Sequence, residues 1–166
     1  MLARMITVKT TWGDWQIETT AAGVIAVDLP ALAKTPRVPF AIQNFGTTTS
    51  SDRTHLKAVQ RYVDALLVGT PCPLPPLVLP AGTRFQQQVW RALMQIPVGA
   101  TMTYGELARG LDKPNASRAV GTACGANPIP LFIPCHRVTA ANGGLGGFSS
   151  GLPWKRLLLA HEAGSA

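Results

Sequence analysis

Charge is scarce in this chain, and acidic charge scarcest. Only 14% of its 166 residues are Asp, Glu, Lys or Arg, eight of them acidic and fifteen basic. With 46% apolar residues beside so little charge, disorder is not the default state. Cysteine is scarce as well. Cys72, Cys124 and Cys135 are too few and too unevenly placed for a disulfide framework, and no C-x-x-C spacing suggests a zinc site. No apolar run approaches the ~20 residues that span a bilayer. The opening M-L-A-R-M-I-T-V-K lacks the long apolar core and the small-residue cleavage site of a signal peptide. The expectation is a soluble, cytoplasmic chain with no membrane segment, forming one ordinary domain or two small ones.

The charge that is present is unevenly spread. Net charge is +7, with a pI near 9.9. Residues 1–80 hold seven Lys/Arg against five Asp/Glu, and residues 81–166 hold eight against three. The basic excess therefore sits in the second half. It fits a nucleic-acid partner, and it fits a plain solubility charge equally well.

The first half reads as strands followed by a helix. M-I-T-V-K-T-T and W-Q-I-E-T-T are rich in β-formers, W-G-D between them is a turn, and V-I-A-V-D-L makes a third strand. Residues 30–50, rich in Pro, Thr and Ser, read as loop. Ser51 then caps a helix whose Leu56, Val59, Val63 and Leu66 recur at helical spacing until Gly69, and which would cover the sheet. His55 and Cys72 stand alone and suggest no chemistry. P-C-P-L-P-P-L-V-L-P places five prolines in ten residues, so a linker and domain boundary are expected near 70–81.

The second half, 82–166, reads as mainly helical. Thr83 and Gln86 have capping-box spacing, with Phe85, Val89 and Leu93 as an apolar stripe ended by Pro97 and Gly99. Thr103 and Glu106 repeat the device in a short helix closed by Gly110. After the turn L-D-K-P, Asn115 is the expected cap of a second short helix with Ala119, Val120 and Ala123 on its inner faces. Two short helices across a tight turn form a helix-turn-helix signature. I-P-L-F-I-P then reads as a buried strand, and R-V-T-A-A-N-G-G-L-G-G-F as a glycine-rich hairpin or wing. A last helix begins with Pro153 in its first turn. The fold class is α+β, with a small antiparallel N-terminal sheet, a covering helix, and a winged helix-turn-helix-like C-terminal domain. Arg118 would fall in the first turn of the second short helix, where a cation opposes the helix dipole at a cost of about 0.3–1 kcal/mol. That penalty fits an exposed surface arginine, an anionic partner or an inserted side chain.

The stretch I-P-C-H-R-V at 133–138 joins a thiol to a histidine. A free thiol is only slightly ionised at neutral pH, so a nucleophile needs a base. Neighbours in an extended segment point apart, which favours a relay through water or a bend over a direct Cys135–His136 bond. The histidine needs a partner for its other nitrogen. The second half offers three carboxylates. Glu106 is committed to its capping box and Asp112 to a turn, which leaves Glu162. Cys135, His136 and Glu162 thus form the candidate relay. The alternative is a packed cysteine after an apolar run.

N-P-I-P-L-F-I-P-C-H-R-V resembles the active-site signature of the O6-alkylguanine–DNA alkyltransferases. So do G-T-R-F-Q-Q-Q-V-W-R-A-L, I-P-V-G-A-T-M-T-Y-G-E-L-A, A-S-R-A-V-G, G-G-F-S-S-G and K-R-L-L-L-A-H-E, in order, over residues 82 to about 162. The resemblance implies a ribonuclease-H-like N-terminal domain. It also implies transfer of alkyl groups from O6 of guanine, and less well from O4 of thymine, to the protein's own cysteine, once per molecule. Cys135 would be the acceptor, His136 its base through a water, and Glu162 the orienting carboxylate. Asn127 would brace the active-site turn, and Tyr104 would donate a hydrogen bond to the guanine ring. Arg118 would enter the duplex in place of the flipped base. Backbone groups of Cys135, Val138 and Ser149 would read the base, and Phe148 would wall the pocket. Ala116, Ser117, Ala119 and Ala123 would meet the minor groove of double-stranded DNA. The resemblance implies a monomer without cofactor, and leaves cooperative binding along DNA open.

The chain departs from the pattern in places. Phe148 stands where most members have tyrosine, and Ser150 replaces a common glycine, which would crowd the pocket mouth. Cys124 stands where many bacterial members have asparagine. Only His55 and Cys72 are at hand in the N-terminal half for the zinc that some relatives bind, so no metal is expected. A lesion-binding relative that does not repair would lack the acceptor cysteine. A winged-helix regulator would not need the relay.

Overall fold

The computed structural model describes residues 3–10, 12–30, 32, 41–44, 50–68, 70, 72–79 and 81–164. They fall into two compact units, Met1–Leu79 and Pro80–Ala166. No described helix is long and apolar enough to cross a membrane.

The described residues of the first unit form a four-stranded antiparallel sheet in the order β3-β2-β1-β4, together with one helix. β1 (Arg4–Thr10) buries Ile6, Val8 and Thr10, and β2 (Gly13–Thr20) buries Trp15, Ile17 and Thr19. Alternation with period two sends these side chains to one face. Register puts Ile6 opposite Ile17 and Val8 opposite Trp15. Gly13 and Asp14 belong to β2, so the turn expected over W-G-D is shifted toward Trp12. β3 (Gly23–Asp28) pairs with β2 across a bulge at Glu18/Thr19. β4 (Ala41–Asn44) pairs with β1, which corrects the expectation of loop over 30–50. Four residues in Pro- and Thr-rich text carry little strand signal of their own; pairing with a neighbour defines them.

α1 (Ser50–Val68) starts one residue before the expected cap, so Ser51 lies inside it. It buries Val59, Tyr62, Val63 and Leu66. Gly69 and the side chains of His55 and Leu56 lie outside the described residues. The proline-rich segment holds to β3: Val24 N–H donates to Pro76 O, and Val78 N–H donates to Val24 O, both at 2.9 Å. Gly23 has φ +142°, and a Cβ there would meet Pro76 O at 2.3 Å, so only glycine permits this approach.

The second unit carries four helices. α2 (Arg84–Leu93) has the full Thr83/Gln86 capping box and buries Val89, Trp90 and Leu93, with Phe85 half-buried. Trp90 Nε1 donates to Ala123 O at 2.9 Å, tying α2 to α4 (Ser117–Gly125). β5 (Met102–Thr103) leads into α3 (Tyr104–Gly110), which has the Thr103/Glu106 box. The cap of α4 is Ala116, with no side-chain hydrogen bond, rather than Asn115. Ala119 is exposed, whereas Val120 and Ala123 face inward.

Residues 129–133 are not a strand. They are a buried turn closed by the Ile133 N–H to Ile129 O bond, with Leu131 at φ 75°. A 3-10 turn at Cys135–Arg137 follows, and then β6 (Val138–Thr139). β6 pairs in parallel with β5, and no described strand folds back on it, so the expected hairpin is instead a loop with a tight turn at 140–144. α5 (Leu152–Ala163) closes the unit, with Pro153 in its first turn. The apolar run at 129–133 suggested a strand, but Asn127 and the prolines divert its backbone bonds into turns.

Candidate functional site

The site is built where the 3-10 turn meets α4 and α5. Asn127 sets the turn. Its Oδ1 accepts from Ile129 N–H at 3.0 Å, and its Nδ2 donates to Ile133 O at 2.8 Å and to Cys135 Sγ at 3.3 Å. One amide side chain thus pins both arms of the buried turn and the thiol beyond it. The left-handed Leu131 lies between the pinned points, a costly conformation for a β-carbon-bearing residue.

The turn places His136 against α5. His136 Nε2 and Glu162 Oε1 are 2.9 Å apart, both groups buried. The carboxylate only accepts, so Nε2 carries the proton and Nδ1 is left as the basic nitrogen. Nδ1 is buried and has no hydrogen-bond partner among the described residues. Burial pushes the histidine's pKa below its usual value, against the pull of Glu162, and keeps the ring neutral.

Glu162 has a second partner that the sequence reading missed. Arg137 Nε donates to both carboxylate oxygens, at 3.2 and 2.9 Å, and its Nη2 donates to Oε1 at 2.8 Å. Nη1 donates to Ile96 O at 2.6 Å. Burial opposes the charge on Glu162, but the bonds from His136 and Arg137 prevail and hold its pKa down to about 2. A buried carboxylate without a cation would be costly, and that was the signal available for Arg137.

Lys155 was also missed. It is fully buried, and its Nζ donates to Val138 O at 2.6 Å and to Gly147 O at 3.1 Å, lying 5.8 Å from the Tyr104 ring centre. The signal was helical spacing: Lys155, Leu158 and Glu162 share one face of α5 with the core. Burial lowers the lysine's pKa, partly offset by the nearby Cys135 and Cys124 thiols.

Cys135 is buried, and burial raises its pKa, opposed by the Asn127 hydrogen bond and the Lys155 charge. Its thiol opens onto a pocket of about 370 Å³ lined also by Tyr104, Cys124, Gly147, Phe148 and Ser149, with Gly121 and Gly125 of α4. Burial raises the Tyr104 pKa, so the phenol keeps its proton. Gly146, at φ +69°, lies against that phenol: a Cβ there would sit 2.6 Å from the hydroxyl oxygen. Phe148 presents its ring edge-on to His136, with centroids 6.4 Å apart.

The other expected site residues are scattered. Val138 is buried, its N–H bonded to Cys135 O and its carbonyl taken by Lys155, and it does not line the pocket. Ser150 does not line it either. Arg118 and Ala119 are exposed at the start of α4, and Ala116 and Ser117 are half-buried. Ala123 is 1% exposed and so cannot meet a groove, which corrects that expectation. Its methyl packs inward, where Trp90 also binds its carbonyl. Among the described residues no three His, Cys, Asp or Glu side chains cluster as metal ligands.

Residues 84–164 match the model for the 6-O-methylguanine DNA methyltransferase, DNA binding domain. A methylated-DNA–protein-cysteine methyltransferase from Methanosarcina acetivorans is 46% identical over 106 residues, covering 64% of this chain and 68% of the relative. The chain belongs to this methyltransferase family. A Salmonella typhimurium member is 54% identical over 81 residues, 49% of this chain and 47% of its own length, so the match spans about half of that relative. The crystal structure of Mycobacterium tuberculosis OGT in complex with DNA superposes with a TM-score of 0.76 at 31% identity, covering 99% of this chain and 94% of that one. The methyltransferase family match lies over the second unit, where the buried thiol, histidine and carboxylate stand.

Proposed function

We propose that the chain repairs O6-alkylguanine in double-stranded DNA, and O4-alkylthymine less well, by irreversible transfer of the alkyl group to Cys135. The observation that carries this is the buried Glu162–His136 pair, with Nδ1 as its unprotonated end, next in the chain to a Cys135 thiol that lines the pocket. A water bonded to Nδ1 takes the thiol proton. Sγ attacks the alkyl carbon, the bond from that carbon to O6 breaks, and a thioether forms. The guanine leaves as an anion, a poor leaving group, and Tyr104 donates the hydrogen bond that stabilises it. Arg137 keeps Glu162 charged, so Glu162 orients His136 and supports the imidazolium that forms.

O6 lies inside a stacked duplex, so the nucleotide must be extruded before Sγ reaches the alkyl carbon in line. Arg118, with Ala116, Ser117 and Ala119 beside it, is the group assigned to the minor groove and to the gap the base leaves. Phe148 and Ser149, which line the pocket with Cys135, are assigned to the flipped base. Residues 82–166 act in this reading as a winged helix-turn-helix-like DNA-binding domain, and residues 1–80 as a ribonuclease-H-like one. Repair in this reading needs no cofactor or metal, and the protein works as a cytoplasmic monomer. No second group in the pocket can remove a thioether, so each molecule reacts once.

Incubation with duplex DNA bearing O6-methylguanine, followed by intact mass measurement, tests this. One methylene equivalent should appear, map to Cys135, and be absent in Cys135→Ala. Tight binding to the lesion with unchanged mass would show a lesion-binding protein instead.

A further inference from the structure

The pocket holds a second thiol that alkyl transfer does not use. Cys124, in the last turn of α4, is buried and lines the same 370 Å³ space as Cys135. We propose that Cys124 and Cys135 form a two-coordinate site for a soft univalent d10 cation, Cu(I) being the biological one.

Three features of the pocket favour this ion class. Its lining supplies two sulfurs and no carboxylate, and thiolate donors select Cu(I) over hard cations. No third His, Cys, Asp or Glu among the described residues completes a cluster, so a tetrahedral zinc cage lacks donors while a linear S–M–S arrangement does not. The charge also balances. Two S–H groups release their protons to solvent, two S–M bonds form, and no electron changes hands. The bis-thiolate complex of a univalent ion carries one negative charge. The Lys155 Nζ bonds only to carbonyl oxygens, and its charge favours the thiolate form of both cysteines, so it offers the compensating positive charge. Binding displaces a proton from each thiol, so affinity rises with pH. A bound ion occupies the acceptor sulfur, and its removal frees that sulfur again. The site is therefore a reversible mask on a thiol that alkylation would consume. The proposal does not depend on the repair reading, because binding is measured without DNA.

The probe is Ag(I), which is stable to redox change, and the protein is the Cys72→Ser variant, which removes the third thiol. One ion should bind in the presence of a monothiol competitor, with both remaining thiols protected together from a thiol-labelling reagent. Adding Cys124→Ser or Cys135→Ser should each lower the affinity on the order of a hundredfold, as expected when a chelate becomes a single ligand. Binding of two ions, protection of one thiol per ion, or undiminished affinity in either double variant overturns the proposal. The labelling result decides the matter even if a double variant fails to fold. Silver-loaded Cys72→Ser should also lose methyl transfer and regain it on adding excess dithiol. Transfer that persists with silver bound would count against the site.

Discussion

The two units bury different things. Among the described residues of Met1–Leu79, the buried polar groups are Thr10 and Thr19, and the rest of the core is apolar, with Trp15, Ile17, Val8 and Val59 fully enclosed. In Pro80–Ala166 the buried residues include Asn127, His136, Arg137, Lys155 and Glu162. Buried charge is expensive, and an apolar replacement of similar volume is often as stable. Burying Glu162 with bonds from His136, Arg137 and the Gly99 N–H is spending stability on position. The first unit is organised by burial, and the second is organised around a reaction.

Breaking the pair at its centre should have the largest effect. Glu162→Gln leaves the buried Arg137 without its counter-charge, and losing one partner of a buried pair costs about 3–5 kcal/mol. Urea unfolding should show that loss, and alkyl transfer should fall with it, because the amide no longer supports an imidazolium. The same residue gives the second unit a pH signature. Its pKa is about 2 in the fold and near 4.5 unfolded, so the stabilisation is full above the unfolded value and is lost as pH falls toward 2. His136, held neutral by burial, acts in the same direction at higher pH: below its ordinary value the unfolded chain binds the proton more readily. Wild-type stability should thus drop on acidification, and in Glu162→Gln the step below pH 4.5 should shrink. An unchanged acid limb would show that the pair is not what acid breaks.

Lys155→Met should cost less, about 1–3 kcal/mol, because two carbonyls lose their donor. Its diagnostic effect is on reactivity. Lys155 holds the Cys135 pKa down, so the pH at which Cys135 reacts with a small alkylating agent should move up. A lower stability with an unmoved profile would reduce the lysine to a structural prop.

The contrast also explains what could be read in advance. Helices α2 and α3 were legible because Thr83–Gln86 and Thr103–Glu106 are local devices that need no tertiary partner. The Cys135, His136 and Glu162 set was legible because so few carboxylates compete for the histidine. Arg137 and Lys155 were not, because burying a charge is a tertiary decision and both residues look like surface cations in a basic chain. β4 failed for a related reason: four residues become a strand only when β1 is there to pair with. At α4, Asn115 looked like the better cap, yet the turn through Lys113 and Ala116 starts the helix one residue later.

Arg118→Ala should be gentler still and selective. With repair of duplex DNA slowed on the order of tenfold, about 1.4 kcal/mol of barrier, reaction with a free alkylguanine base should be almost unchanged. Equal slowing on both would place the arginine in the pocket chemistry rather than at the duplex.

The smallest change tests the first unit. Ile17 is fully buried and faces Ile6 across β1 and β2, so Ile17→Val removes one methylene from an apolar core and should cost about 0.5–1.5 kcal/mol. Among the described residues of that core, none holds a proton or a charge that the reaction uses. The prediction therefore has two parts: a small downward shift in the unfolding midpoint, and an alkyl-transfer rate on free alkylguanine that does not move under conditions where the protein stays folded. A rate that fell with Ile17→Val would mean that packing in the sheet is felt at Cys135, and the division between a unit built by burial and a unit built for chemistry would have to be withdrawn.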